Sequence, residues 1–278
     1  MAENPDACEG PGYDSGFLGF PVPVPRAGEA ISADVLAWEG GTVLDYTHFS
    51  LAMSISRRFA YWVAWNIDGA ALRLNSRTGL DFVLDPRIPA TAQTGNELYA
   101  GNRLDRGHLA RRADLVWGEP AEAQQANEDS FHYTNITPQM DDFNQSRQQG
   151  LWGRLENALY EDVDVDGLRA SVMAGPVFRD DDQVYRGVAL PREYWKILAY
   201  SQGTVLKVRA FLLTQNLDEL RVLMALDEFR VYQVNLAELE ERTSLVFPAE
   251  LDSAEEPTTA ARDVGERQPL ADTSVIQW

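Results

Sequence analysis

The chain has 278 residues, of which 45% are apolar and 24% are charged, so it is long enough to fold around a substantial hydrophobic core. With 43 acidic against 24 basic side chains, the formal net charge is -19, which excludes a protein that coats nucleic acid or an anionic membrane through its bulk charge. The single cysteine, Cys8, excludes an internal disulfide framework and a metal site built from cysteines.

The two ends of the chain differ in composition from its middle. Residues 1–34 include a Pro-x-Pro-x-Pro run at 21–25, which predicts an extended arm without regular structure. Residues 251–278 are polar, acidic and non-periodic, and this predicts a flexible tail. The folded domain is therefore expected over residues 35–250.

The first elements of the domain are predicted to be strands. Aromatic and β-branched residues fill 49–56 and 59–66, on either side of Arg57 and Arg58, and this pattern predicts a hairpin. A helix is expected over about 120–129, where Pro120 suits the first turn.

The second half of the domain mixes both kinds of element. Leucine and tryptophan recur every three or four residues and predict a helix over about 150–162. A strand is expected over 168–174, and two more over 194–200 and 204–214. A last helix is expected to begin at Asn235, three residues before Glu238, in an approximate capping box. Because strands and helices interleave irregularly, the sequence predicts an α+β fold with a sheet-dominated core.

No stretch approaches the roughly 20 consecutive apolar residues that a membrane-spanning helix needs, so no membrane association is predicted. The N-terminal residues also lack the basic-then-apolar pattern of a secretory signal. This favours a cytoplasmic location, and secretion stays open if a leader once preceded residue 1.

His108 has the most unusual surroundings of the three histidines. It closes the tetrapeptide Asp-Arg-Gly-His at 105–108, and residues 101–112 hold four arginines and one acid, a local charge of +3. Since the Debye length is about 8 Å at physiological ionic strength, such a cluster outweighs remote acidic surface for a phosphate bound on it. His48 and His132 lie beside aromatic residues, which favours packing roles for both.

A second group of polar residues is rich in amides. The run Asn-Ile-Thr-Pro-Gln begins at Asn135 and ends at Gln139, and Asn144 and Glu156 follow it. A hard cation such as Mg²⁺ takes oxygen ligands and keeps several waters, so one asparagine carbonyl with a nearby glutamate suffices to hold it.

These blocks, in this order, resemble the DNA/RNA non-specific endonucleases of the ββα-metal (His-Me finger) class, the family of Serratia nuclease and mitochondrial endonuclease G. Residues 105–108 match the signature tetrapeptide, and residues 135–139 match the second block. Residues 144–145, followed by 152–156, match the helix that carries the metal site. The resemblance spans roughly residues 35–250 and implies a central antiparallel sheet flanked by helices.

The resemblance also implies roles for individual residues. His108 would be the general base, Asn144 the direct metal ligand, and Glu156 the residue that orients water at the metal. Arg106 would contact the phosphate, and Asn135 would brace the site. Four more residues are implied to lie beside the substrate: Asp105, Gln139, Arg111 and Arg112. Of these, Gln139 would also brace the site. The arginine that usually precedes the signature has no clean counterpart, and four candidates stay open: Arg57, Arg58, Arg77 and Arg87.

The implied activity is hydrolysis of phosphodiester bonds in DNA and RNA, dependent on Mg²⁺ with Mn²⁺ as a substitute. Little sequence preference is expected, because every implied group addresses phosphate or metal, and phosphate contacts carry no sequence information. A homodimer and an inhibitor or regulatory partner stay open. The alternative is a catalytically weak or inactive module of the same fold that binds nucleic acid or a partner. Three features motivate it: the net charge of -19, the extra residues 146–149 before the helix, and the lack of a clean counterpart for the upstream arginine.

Overall fold

A computed structural model describes residues 11–140, 169–215, 217 and 230–255. The strands of these residues are β1 Arg26–Ala27, β2 Leu44–Tyr46, β3 Phe49–Met53, β4 Ala60–Asp68, β5 Leu104–His108, β6 Ile136–Met140, β7 Arg169–Val177, β8 Gln183–Tyr185, β9 Val188–Leu190, β10 Glu193–Gln202, β11 Val205–Thr214, β12 Arg230–Val234 and β13 Leu245–Val246. The α-helices are α1 Arg112–Leu115, α2 Pro120–Asp129, α3 Leu236–Thr243 and α4 Ala249–Ala254.

Seven antiparallel strands form the central sheet, in the order β12-β11-β10-β7-β4-β3-β2. Successive side chains of a strand point to opposite faces of its sheet. In β10, Tyr194 and Leu198 accordingly join one hydrophobic core, while Trp195 and Ile197 join another. The sheet is therefore covered on both faces, and the predicted α+β fold with a sheet-dominated core is confirmed.

The two faces carry different layers. The ribbon of β5 and β6 contributes Leu104 and Ile136 to the first core, and α1 contributes Leu115. On the other face, α3 contributes Leu239 and α4 contributes Leu251. The candidate functional residues of β5 and β6 thus lie on the face opposite α3 and α4.

Both predicted hairpins are confirmed, as β3 with β4 and β10 with β11. The predicted end of the intervening strand is wrong, because β7 continues through Gly175 and Pro176. Gly175 leaves room where an added Cβ would lie 2.3 Å from the carbonyl oxygen of Tyr61. β4 pairs with β7 only as far as Ala174, so Pro176 lies beyond that ladder, where its missing N–H is tolerated.

The helix predictions are confirmed where they can be compared with the structure. α2 begins at Pro120. Asn235 caps α3, because its side chain accepts a 2.8 Å hydrogen bond from the backbone N–H of Glu238. The predicted helix over 150–162 lies outside the described residues.

The expectations for the two ends of the chain are wrong in part. In the arm, β1 pairs with β13, and Ser32–Asp34 form a 3₁₀ turn. At the other end, α4 extends to Ala254 because Leu251 is buried in the core, so residues 251–254 are not a flexible tail. Within the described ranges, no helix is long and apolar enough to cross a membrane.

Candidate functional site

The candidate site is built on the antiparallel ribbon of β5 and β6, which brings two of the sequence blocks side by side. Gly107 pairs with Thr137, and His108 pairs with Ile136. The ribbon is attached to the central sheet at the carbonyl oxygen of Pro138. This oxygen accepts hydrogen bonds from the Tyr194 hydroxyl at 2.7 Å and from Gln215 Nε2 at 3.1 Å.

The ribbon separates the predicted site residues into two groups, because neighbours along a strand face opposite sides. Arg106 and His108 share one face, while Asp105 and Gly107 share the other with Gln139. Gln139 is completely buried, and its amide atoms find no hydrogen-bond partner among the described residues. This placement suits Gln139 to bracing the ribbon from behind rather than to contacting substrate.

Gly107 is required here for space rather than for backbone freedom. A Cβ added at Gly107 would lie 2.2 Å from Cδ of Gln139, far inside van der Waals contact. The tetrapeptide therefore admits only glycine between Arg106 and His108 while Gln139 keeps its position.

Gly107→Ala is expected to lower the free energy of unfolding by about 1–3 kcal/mol, because the buried Gln139 side chain has to move. Urea denaturation measures the loss. Gly41→Ala is the matched control, since its Cβ would meet nothing closer than 3.7 Å. Gln139→Ala in the Gly107→Ala background should recover part of the loss. An equal loss in Gly107→Ala and Gly41→Ala would contradict the prediction.

Asn135 holds the chain that leaves the ribbon after His108. Its side-chain oxygen accepts from the N–H of Ala110 at 2.9 Å, and its amide donates to the carbonyls of Ala110 at 3.0 Å and Ser130 at 3.2 Å. Its backbone oxygen also accepts from the N–H of Leu109 at 2.9 Å. Asn135 is completely buried, so it positions the backbone beside His108 and does not face solvent.

His108 lies in an aromatic environment. The ring of Phe82 is 5.6 Å from its imidazole, and Phe131 meets it edge-on at 5.5 Å. Nε2 of His108 is buried and finds no hydrogen-bond partner among the described residues. Burial, together with the positive charges of Arg112 and Arg77, lowers the pKa of His108 to about 3. The imidazole is therefore neutral at pH 7.

Arg106 lies beside two aromatic rings on the same face of the ribbon as His108. Its guanidinium lies 5.3 Å from the ring centre of Phe82 and 5.5 Å from that of Tyr99. Nη2 donates to the side-chain oxygen of Asn96. Since a guanidinium carries five N–H donors in a fixed plane, Arg106 is oriented and keeps donors for an anion.

Arg77, Arg111 and Arg112 concentrate positive charge beside His108. Arg112 donates to the carbonyl oxygen of Asn75 at 3.1 Å and to Oδ1 of Asn127 at 3.0 Å. Burial and the like charges of Arg77 and Arg111 lower the pKa of Arg112. An anion bound here would offset this repulsion, which makes the cluster suited to phosphate.

The structure distinguishes the four arginines that the sequence left open. Arg57 pairs with the buried Asp182, and Arg58 donates to the backbone of the β8–β9 turn. Arg87 pairs with the buried Asp85 at 2.8 Å. Arg77 is exposed and is the candidate whose charge acts on His108.

Two predicted residues, Asn144 and Glu156, lie outside the described residues. No group of three or more His, Cys, Asp or Glu side chains that could hold a metal occurs in the described part of the chain. The sequence analysis also missed Phe82 and Asn96, which hold His108 and Arg106. Phe82 lies in an irregular segment and Asn96 begins the short 3₁₀ turn Asn96–Leu98. Neither belongs to a motif, so no local signal identifies them.

A sequence model of the DNA/RNA non-specific endonuclease family matches residues 26–254. The chain belongs to this family. The chain is 37% identical over 265 residues to the uncharacterized protein y4fB of Sinorhizobium fredii, a match that covers 88% of the chain and 40% of that protein. The chain thus spans less than half the length of this relative.

Other relatives of the chain carry nuclease names. A nuclease of Nostoc is 29% identical over 207 residues, covering 72% of the chain and 70% of that protein. Bovine mitochondrial endonuclease G is 28% identical over 172 residues, covering 56% of the chain and 54% of that protein.

A solved structure shares the fold of the chain. A chain from the crystal structure of an EndoG/EndoGI complex superposes with a TM-score of 0.58 at 20% identity, over 76% of this chain and 85% of that one. The predicted ββα-metal fold class is thereby confirmed.

Proposed function

We propose that this chain is an endonuclease that hydrolyses phosphodiester bonds in DNA and RNA with little sequence preference, with His108 as general base. The observation that carries the proposal is the neutral imidazole of His108, whose buried Nε2 lacks a hydrogen-bond partner among the described residues while Arg77 and Arg112 lie near it. Family membership supports the same class of reaction.

A general base has to be unprotonated before it acts. The lowered pKa of His108 keeps the imidazole neutral at pH 7, so Nε2 is able to take the proton of an attacking water. A bound phosphate would offset the charges of Arg77 and Arg112, and this favours the imidazolium that proton transfer creates. Substrate binding therefore makes His108 a stronger base than it is in the free protein.

The arginines act on the phosphate itself. Arg106 keeps guanidinium donors fixed on the face of the ribbon that carries His108. Arg77, Arg111 and Arg112 add positive charge where the non-bridging oxygens of the phosphate gain negative charge during attack, and preorganised charges of this kind lower the barrier. Contacts of this kind address the backbone of the nucleic acid, so DNA and RNA of any sequence fit.

The metal assignment rests on the chemistry of the donors. Asn144 and Glu156 offer oxygen atoms, which suit Mg²⁺ or Mn²⁺ rather than softer metals. In the proposed site Asn144 would hold the ion, and Glu156 would position the surrounding water. When bound, the ion supplies Lewis-acid stabilisation of the phosphate oxygens.

The experiment is degradation of plasmid DNA and of RNA, each with Mg²⁺, with Mn²⁺ and with EDTA. Both substrates should be cleaved with either ion and neither in EDTA. Asn144→Ala should lose cleavage at limiting Mg²⁺ while keeping its affinity for DNA in EDTA. DNA affinity without metal-dependent cleavage by the unaltered chain would favour the alternative, an inactive binding module.

An inhibitor or regulatory partner and a homodimer are also proposed for this chain. The solved neighbour comes from a complex that concerns inhibition of EndoG, which supports the first. Native mass measurement of the purified chain tests the second.

A further inference from the structure

One loop lies along the His108 site, and we call residues 72–82 the rim loop. At its start, Leu72 forms a bridge with Trp117, and the N–H of Arg73 donates to the carbonyl oxygen of Val116 at 2.8 Å. At its end, Phe82 lies against the imidazole of His108. The rim loop thus connects the segment before α2 to the candidate general base.

The middle of the rim loop is fixed to both helices of this face. The carbonyl of Asn75 accepts from Arg112 in α1 at 3.1 Å, and the carbonyl of Ser76 accepts from Asn127 in α2 at 3.0 Å. The side chain of Asn75 also donates to Gln124 at 3.2 Å. The loop therefore holds its exposed side chains at defined positions beside the arginine cluster.

Leu74 is the most exposed large apolar side chain in the described part of the chain. Its relative exposure is 105%, against 61% for Val184 and 53% for Val205. A single exposed leucine is common on protein surfaces, but Leu74 stands on an anchored loop three residues before Arg77. Three residues of extended chain reach about 10 Å, so Leu74 lies within a few nucleotide steps of any phosphate that Arg77 contacts.

We propose that Leu74 is a specificity-determining contact: it packs against the sugars and base edges of duplex DNA next to the phosphate held by Arg77. The proposal rests on the proposed function, because it requires a nucleic-acid substrate. Proteins that bind the minor groove through basic side chains frequently insert an apolar side chain between base steps and unstack them. Pyrimidine–purine steps unstack with least cost, so cleavage should be biased toward TA and CA steps.

The first test measures binding of a short DNA duplex by fluorescence anisotropy in EDTA, where cleavage is not required. Leu74→Ser should weaken binding about tenfold, or ~1.4 kcal/mol, with the same slope of log K against log salt. Arg77→Ala should reduce that slope by about 1, because a phosphate contact is lost. Leu74→Met keeps an apolar side chain and should retain the affinity of the unaltered chain.

Val205→Ser is the matched control for loss of an exposed apolar side chain. Val205 pairs with Gln202 at the far end of β10 from Tyr194, whose hydroxyl holds the ribbon. Gln202 lies eight positions after Tyr194 along the strand, which corresponds to about 27 Å. Val205→Ser should therefore leave DNA affinity unchanged.

The second test maps cleavage positions in one end-labelled duplex with Mg²⁺. The unaltered chain should favour TA and CA steps, and Leu74→Ser should lose this bias while still cutting. If the unaltered chain binds and cuts but Leu74→Ser matches it in affinity and in pattern, the inference is overturned and the proposed function stands. If the unaltered chain neither binds nor cuts, the proposed function itself fails.

Discussion

His108→Ala is expected to lower kcat for cleavage of plasmid DNA by about 10²- to 10⁴-fold, the usual contribution of a positioned general base. The loss should fall on kcat rather than on DNA affinity, because the arginines that hold the phosphate remain. Initial rates at saturating Mg²⁺ measure the first quantity, and anisotropy in EDTA measures the second.

Two comparisons separate this chemical role from loss of packing. His132→Ala removes a buried histidine and should cost stability while keeping kcat within a few-fold. In the pH profile of kcat/KM, the fall on the acid side should lie well below pH 6.5, because the pKa of His108 in the free protein is about 3. Cleavage at the full rate by His108→Ala would remove the base assignment.

Asn135→Ala is expected to lower the free energy of unfolding by about 3–5 kcal/mol. The substitution leaves the N–H of Ala110 and the carbonyls of Ala110 and Ser130 buried without their partner, and each such group costs about 1–3 kcal/mol. Urea denaturation followed by circular dichroism measures the change.

The matched control for Asn135 is Asn75→Ala, which loses one side-chain bond at the surface and should cost less than about 1 kcal/mol. Asn135→Asp keeps the acceptor for Ala110 but loses both donated bonds, so it should remain strongly destabilised. Equal stability of Asn135→Ala and the unaltered chain would show that these bonds contribute nothing.

The parts of the fold that sequence could predict are those specified by neighbouring residues. The hairpin of β10 and β11 follows from two apolar runs around Gly203, and the start of α3 follows from Asn235 and Glu238. The end of β7 did not follow, because Gly175 and Pro176 resemble a turn in isolation. Their place in the strand depends on Tyr61 and on where pairing with β4 stops.

In the candidate site, too, nearby residues could be predicted from the sequence and long-range contacts could not. His108 could be singled out from its own tetrapeptide, whereas the choice of Arg77 over Arg87 required distant contacts. Arg87 is committed to Asp85 in the folded chain, and no pattern around either arginine indicates this. Likewise, the reason that Gly107 must be glycine lies 32 positions away at Gln139.

The attachment of the ribbon at Pro138 has a consequence for heat inactivation. Its carbonyl oxygen accepts hydrogen bonds from Tyr194 in β10 and from Gln215, which directly follows β11. The ribbon therefore cannot separate from the sheet without disturbing these two long strands. Segments tied to the most stable part of a protein exchange their amide protons only through global opening. We therefore expect the native structure and the proposed cleavage activity to be lost in a single thermal transition, without an intermediate that is folded but inactive.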